Sequence, residues 1–205
     1  MEFADVVRRR RMVRNYDPDR PVPDDLVDRL LDYAIRAPSA GFSQGWGFLV
    51  LTAPDDRKRF WTATVPPEEA DEPDSWLVGL QRAPVIIVAL SNKQSYLDRY
   101  AAADKGWTDR DESRWPVPYW HIDTGFAALM MMLGAVDNEL ATCFFGIPPE
   151  QTATFRATFG VPVEYTPIGV LSVGYPAPDR RSPSLKRGRK PLTEVVHRGQ
   201  WRTDA

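Results

Sequence analysis

The chain has 205 residues and a formal net charge of −2, with 43% hydrophobic and 26% charged residues. This composition supplies a folded core and excludes a disordered chain, and the slight acid excess argues against a nucleic-acid partner. A single cysteine, Cys143, excludes an intrachain disulfide and fits a reducing compartment.

In chain order, residues 2–12 read as a helix ending in the basic run Arg8–Arg11, and the prolines of "NYDPDRPVP" then break the chain. Such a run suits a solvated helix end, a nucleic-acid contact or half of a phosphate site. Leu26, Leu30 and Ala34 recur at four-residue spacing, predicting an amphipathic helix over about 24–36 that opens with Pro23, Asp24 and Asp25. "WGFLVLT" (46–52) reads as a strand, 55–63 as a helix, and the continuously apolar "APVIIVALS" (83–91) as a buried strand. Residues 93–118 read as irregular, charged and rich in aromatics. "YWHIDTGFAALMMMLGAV" (119–136) is apolar nearly all round, predicting a helix buried on most sides. A short strand over 141–146, a helix over 149–159 and a last core strand over 168–175 complete the pattern.

After Tyr175 the chain becomes rich in proline and basic residues and cannot build its own core. It is either disordered or an arm lying on another surface such as a second subunit. The N-terminus lacks the apolar segment of a signal peptide. The longest low-polarity run, Gly125–Val136, has 12 residues, too few to span a bilayer. The expectation is a soluble cytoplasmic protein with no membrane segment. It is one α+β domain over 1–205, with an arm over 176–205.

Four segments taken together resemble the nitroreductase family of FMN enzymes: "RRMVRNY" (10–16), "APSAGFSQGWGFLVL" (37–51), "ATCFFGIP" (141–148) and "SVGYPAP…KRGRKPLTEVVH" (172–197). They stand in the family's order and at roughly its spacing. The resemblance implies a mostly antiparallel central sheet flanked by helices. It also implies a homodimer with two FMN sites at the subunit interface and a C-terminal arm packed on the partner.

FMN has a phosphate dianion, a polar ribityl chain and a flat apolar ring whose reduced form is an anion near N1 and O2. A site for it needs Arg for the phosphate, a cation near N1 and O2, and backbone N–H groups near N5 and O4. By resemblance Arg10 and Arg11 take the phosphate and ribityl contacts, and Arg14 points to the ribityl and N1/O2 region. Arg187 and Arg189 belong to the family's second phosphate motif, while Arg8 and Arg9 stay solvated or interfacial. Pro38, Ser39, Ala40 and Phe42 lie on a loop against the ring, and the turn Cys143–Phe144–Phe145–Gly146 offers the Phe145 and Gly146 N–H groups to N5 and O4. Two residues depart from the family's pattern: Phe42 stands where many members have Asn, and Met12 where many have Ser.

Cys143, alone on an apolar strand, reads as a small buried hydrophobe and not as a catalytic thiol. His121 and His197 show no metal-ligand spacing, so no metal is expected. His121 is either helix-start packing or a pocket residue. Tyr96, Tyr100, Trp107, Trp115, Tyr119 and Trp120 form either a packing cluster or a lid whose faces stack substrate, in which case Phe42, Tyr119, Trp120 and His121 line the pocket.

The resemblance implies an FMN-dependent oxidoreductase that takes reducing equivalents from NAD(P)H and passes them to nitroaromatic, quinone or related acceptors by a ping-pong mechanism. No protein acid or base is assignable, and no G-x-G-x-x-G fingerprint points to a Rossmann dinucleotide site. The alternatives are a specialised branch (dehydrogenase, reductive dehalogenase or flavin-consuming enzyme) and a flavin-binding protein without turnover.

Overall fold

The computed structural model describes residues 1–179 and 182–201. The elements are α1 (Phe3–Arg9), α2 (Asp24–Ile35), β1 (Trp46–Leu51), α3 (Pro54–Thr64), α4 (Pro67–Asp71), α5 (Ser75–Gln81), β2 (Val85–Asn92), α6 (Lys93–Ala101), α7 (Tyr119–Asp137), β3 (Ala141–Phe145), α8 (Thr152–Phe159), β4 (Tyr165–Gly174) and α9 (Leu192–Val195). The four strands form one sheet in the order β1-β2-β4-β3, antiparallel throughout. Helices flank it, as the expected α+β class requires.

Each face of the sheet carries its own apolar core. On one, Ile87, Ala89, Leu171 and Val173 pack against Leu30 and Ala34 of α2 and Ala127, Ala128 and Met131 of α7. On the other, Ile86, Val88 and Val170 meet Phe60 of α3, Leu77 and Leu80 of α5, and Phe155 of α8. Neighbouring residues of a strand point to opposite faces, so a strand buried on both sides must be apolar at every position. That is why β2, buried along its whole length, is apolar from Val85 to Leu90; its last two residues, Ser91 and Asn92, are polar but hydrogen-bonded.

Four elements differ from the sequence reading. Helix α1 stops at Arg9, because the chain from Met12 joins the sheet margin: Met12 bridges Thr142 in parallel sense and the Val13 N–H donates to the Thr142 carbonyl at 3.0 Å. The segment 93–118 is not irregular throughout. Its first nine residues form α6, started by the Asn92 side chain, which accepts from the Ser95 N–H at 3.1 Å. Strand β4 begins at Tyr165 and contains Pro167, whose missing N–H coincides with a register shift opposite Ala89 and Leu90. Finally, α7 is buried on one side only: Ile122, Phe126, Leu129 and Met130 remain exposed. Their spacing puts them on one face. No helix among the described residues is long and apolar enough to cross a membrane.

Candidate functional site

The segment after α1 lies along the free edge of β3. Tyr16 holds it there: its ring is fully buried, and its hydroxyl donates to the Val13 carbonyl at 2.8 Å and sits 2.8 Å from Ser172 Oγ. The Phe144 N–H, facing the same edge, donates to the Met12 sulfur at 3.4 Å. Met12 thus spends its side chain on the sheet margin, where a serine would present a hydroxyl. Beyond it, Gly79 lets α5 approach the backbone of Arg14, since a methyl group at Gly79 would overlap the Arg14 carbonyl oxygen. A cavity of about 670 Å³, within the range of small-molecule sites, is bordered by Arg14, Asn15, Trp76, Gly79, Arg82 and Asp179.

The arginines divide by what they touch. Arg8 pairs with Asp5 at 2.6 Å, three residues back on the same helix. Arg11 is held by Asp179 at 3.3 Å, and the same buried carboxylate accepts the Arg14 N–H at 3.0 Å. Among the described residues no carboxylate or other side-chain partner engages Arg10, Arg187 or Arg189. At the far end of β3, Gly146 is exposed; its N–H has no acceptor among the described residues and open space lies over its α-carbon. Along this edge, the Arg10 cation and the Gly146 N–H are donors suited to an anion and to a polar ring atom.

The second group of candidate residues precedes β1. Pro38, Ser39, Ala40 and Phe42 lie on a loop with three left-handed residues: Gly41 (φ 61°), Phe42 (φ 55°) and Gln44 (φ 49°). For Phe and Gln this conformation costs about 1–2 kcal/mol each, so the loop must be over-determined, and it is. The Ala40 N–H donates to Asp123 Oδ2 at 2.8 Å, the Gln44 N–H to Ser39 Oγ at 3.0 Å, and the Ser43 hydroxyl to the Ala40 carbonyl at 2.6 Å. Asp123, buried on α7, is itself fixed by the Tyr96 hydroxyl at 2.8 Å. The result presents Phe42 rigidly to the outside, 73% exposed. Asp123 was not singled out from the sequence. Its signal was there: it is the one acid before the C-terminus of an otherwise apolar 19-residue helix.

The aromatics resolve into a packed cluster. The rings of Tyr96, Tyr100, Trp107, Tyr119 and Trp120 all lie 4.6–6.0 Å from Trp115, most in edge-to-face geometry. Trp120 is 5% exposed beneath this cluster. Its position differs from the expected pocket wall, because the start of α7 turns the indole inward. Tyr119 is half-exposed. His121 sits half-buried with Nδ1 2.8 Å from Ser91 Oγ, and burial, reinforced by the Lys93 charge, lowers its pKa and favours the neutral ring.

Cys143 faces the core, and burial pushes its thiol up to about 11. The thiolate therefore forms only near that pH and is scarce at neutrality. A disulfide reagent at pH 8 is expected to leave the folded protein unmodified and to modify one thiol after denaturation. Rapid modification of the native protein would contradict this burial. No group of three His, Cys, Asp or Glu residues that could hold a metal occurs among the described residues.

Comparison with known proteins agrees with this architecture. A profile described as "Nitroreductase family" matches residues 7–175. A provisionally named NADH dehydrogenase/NAD(P)H nitroreductase of Methanothermobacter thermautotrophicus is 27% identical over 180 residues, covering 86% of this chain and 78% of its own. Human iodotyrosine deiodinase 1 is 24% identical over 211 residues, covering 95% of this chain and 68% of its own. Among solved structures, a provisionally named nitroreductase from Desulfovibrio desulfuricans, in complex with FMN, superposes with a TM-score of 0.71 at 22% identity, covering 98% of this chain and 99% of that one. With the profile spanning most of the chain and an antiparallel sheet flanked by helices, the chain belongs to the nitroreductase family.

Proposed function

We propose that this oxidoreductase binds FMN and acts as a homodimer, taking reducing equivalents from NAD(P)H and delivering them to flat aromatic acceptors such as quinones and nitroaromatics. The observation that carries the reading is the β3 edge, where among the described residues Arg10 has no side-chain partner and the Gly146 N–H no backbone acceptor, on either side of the Met12–Thr142 bridge. The FMN named with the Desulfovibrio structure and the NAD(P)H in the Methanothermobacter protein's name lend support.

The donor set fits the cofactor. Arg10, Arg187 and Arg189 would hold the phosphate, Arg14 would face the ribityl chain and the N1/O2 side, and the Gly146 N–H would meet N5 or O4. When bound, FMN supplies two-electron chemistry between a nicotinamide and an organic acceptor. The protein's part is to orient both, keep water out and offer fixed dipoles to the developing negative charge. The topology supports two subunits. The loop 38–44 leads into β1 and the arginine segment borders β3, at opposite edges of a four-stranded sheet. Three inter-strand spacings separate those edges by roughly 14 Å, so one chain's loop and its own arginines do not close on a single ring. A second copy brings its loop, with Phe42, to the first copy's β3 edge. The exposed Phe42 makes that wall apolar, which favours flat aromatic acceptors over small polar ones.

A second reading, reductive dehalogenation of a halogenated aromatic, is favoured by the likeness to iodotyrosine deiodinase over nearly the whole chain. The purified protein is expected to be yellow or to become so with FMN, and to consume NAD(P)H with a naphthoquinone. Halide release from a halophenol in place of quinone reduction selects the second reading. A protein that stays colourless with FMN ends both.

A further inference from the structure

Arg99 and Tyr100, at the C-terminal end of α6, touch two segments that are otherwise separate: the loop 38–44 and the turn-rich segment 102–116. All three guanidinium nitrogens of Arg99 are used. Nε donates to the Gly41 carbonyl at 2.9 Å, while the other two nitrogens donate to Asp104 at 2.7 and 2.6 Å, a bidentate pair. Next to it, the Tyr100 ring lies against Gly41: a methyl group at Gly41 would come within 2.6 Å of the ring. The Tyr100 ring also packs against Trp107 and Trp115, at 4.9 and 4.6 Å between centroids. The Trp107 N–H closes the segment by donating to the Tyr100 carbonyl at 2.9 Å.

We propose that Arg99 is a positioning residue that transmits the placement of segment 102–116 to Gly41 and Phe42, so that this segment tunes acceptor specificity without touching the acceptor. The loop it acts on is strained, with left-handed Gly41, Phe42 and Gln44. Such backbone keeps one conformation only while its braces hold. The Asp123 and Ser39 braces act at Ala40 and Gln44; Arg99 is the brace on Gly41 itself, adjacent to Phe42. Its partner Asp104 is 60% exposed and accepts from Arg99, not from the loop, which permits a clean test. The acceptor part of this inference rests on the flavin reading; the mechanical part does not.

The test compares Asp104→Ala, Arg99→Gln, the double variant and Arg99→Lys in the full chain. Amide exchange of the FMN-free protein is followed at Phe42 and Ser43, whose N–H groups donate to the Ser39 and Ala40 carbonyls, and at Trp107. Asp104→Ala is expected to quicken exchange at Phe42 and Ser43 as well as at Trp107. Arg99→Gln should do so more strongly, the double variant no more than Arg99→Gln alone, and Arg99→Lys should restore part of the protection. In the loaded enzyme, Asp104→Ala should raise KM for a naphthoquinone about three- to five-fold, the scale of one well-placed surface ion pair, with kcat within about two-fold. Loop exchange unchanged in Asp104→Ala, or additive effects of the two substitutions, overturns the proposal. If FMN does not bind, the flavin reading fails while the exchange data still decide the linkage.

Discussion

Phe126→Asp combined with Met130→Asp is expected to yield a folded monomer that no longer retains FMN. The two positions lie one turn apart on the exposed face of α7, beside Ile122 and Leu129. The opposite face carries Ala127, Ala128, Met131 and Ala135 in the core, so the substitutions leave the subunit's own packing intact. In the homodimer proposed above, this exposed apolar face is taken as the subunit contact; an isologous contact places each residue in the interface twice, so four carboxylates would be desolvated at once. Each costs several kcal/mol unless paired, while burying each lost apolar side chain had contributed about 1.5–3 kcal/mol. The sum exceeds what holds an ordinary dimer. Sedimentation should then show a monomer with unchanged far-ultraviolet circular dichroism, and a flavin titration should show no saturable binding. A monomer that keeps FMN, or a dimer that survives, removes the shared-site reading.

Arg10→Ala and Arg189→Ala should each weaken FMN binding about 10- to 150-fold, the worth of a charge-assisted hydrogen bond of roughly 1.5–3 kcal/mol. Neither side chain has a side-chain partner among the described residues, so the melting temperature of the FMN-free protein should stay within experimental scatter. Arg8→Ala is the control: its guanidinium is spent on Asp5 at the solvent-facing side of α1. Arg11→Ala should fall between them, because Asp179 holds that guanidinium and must release it before a phosphate can use it. Fluorescence titration with free FMN gives all four values. Equal losses at Arg8 and Arg10 would assign the run to general electrostatics instead of a built phosphate site.

The strands, the long helices and the order of the four family segments were legible in the sequence, because each follows from a local pattern. Burial on both faces makes β2 apolar from Val85 to Leu90, and a 3.6-residue repeat marks α2. The exit from α1 was not legible. Arg10, Arg11 and Met12 are good helix formers, and the bond from Val13 to Thr142, well over a hundred residues away, draws them out of the helix. The same holds for α6, whose amphipathic signal is weak and whose start depends on the Asn92 cap.

The sequence by itself determined the chemistry available: a basic run before an extended segment, a glycine- and proline-bracketed loop, and a strand ending in Phe-Phe-Gly. Tertiary structure alone decided which of those groups remain free to act. It tied Arg11 to Asp179 and left Arg10 open, and it turned Trp120 into the core while holding Phe42 out. It also set the loop and the arginines at opposite edges of one sheet. Charge, polarity and local geometry are carried by single residues and their near neighbours. The occupancy of a guanidinium or the facing of a ring is settled by groups a hundred residues distant, and a linear pattern holds no record of those distances.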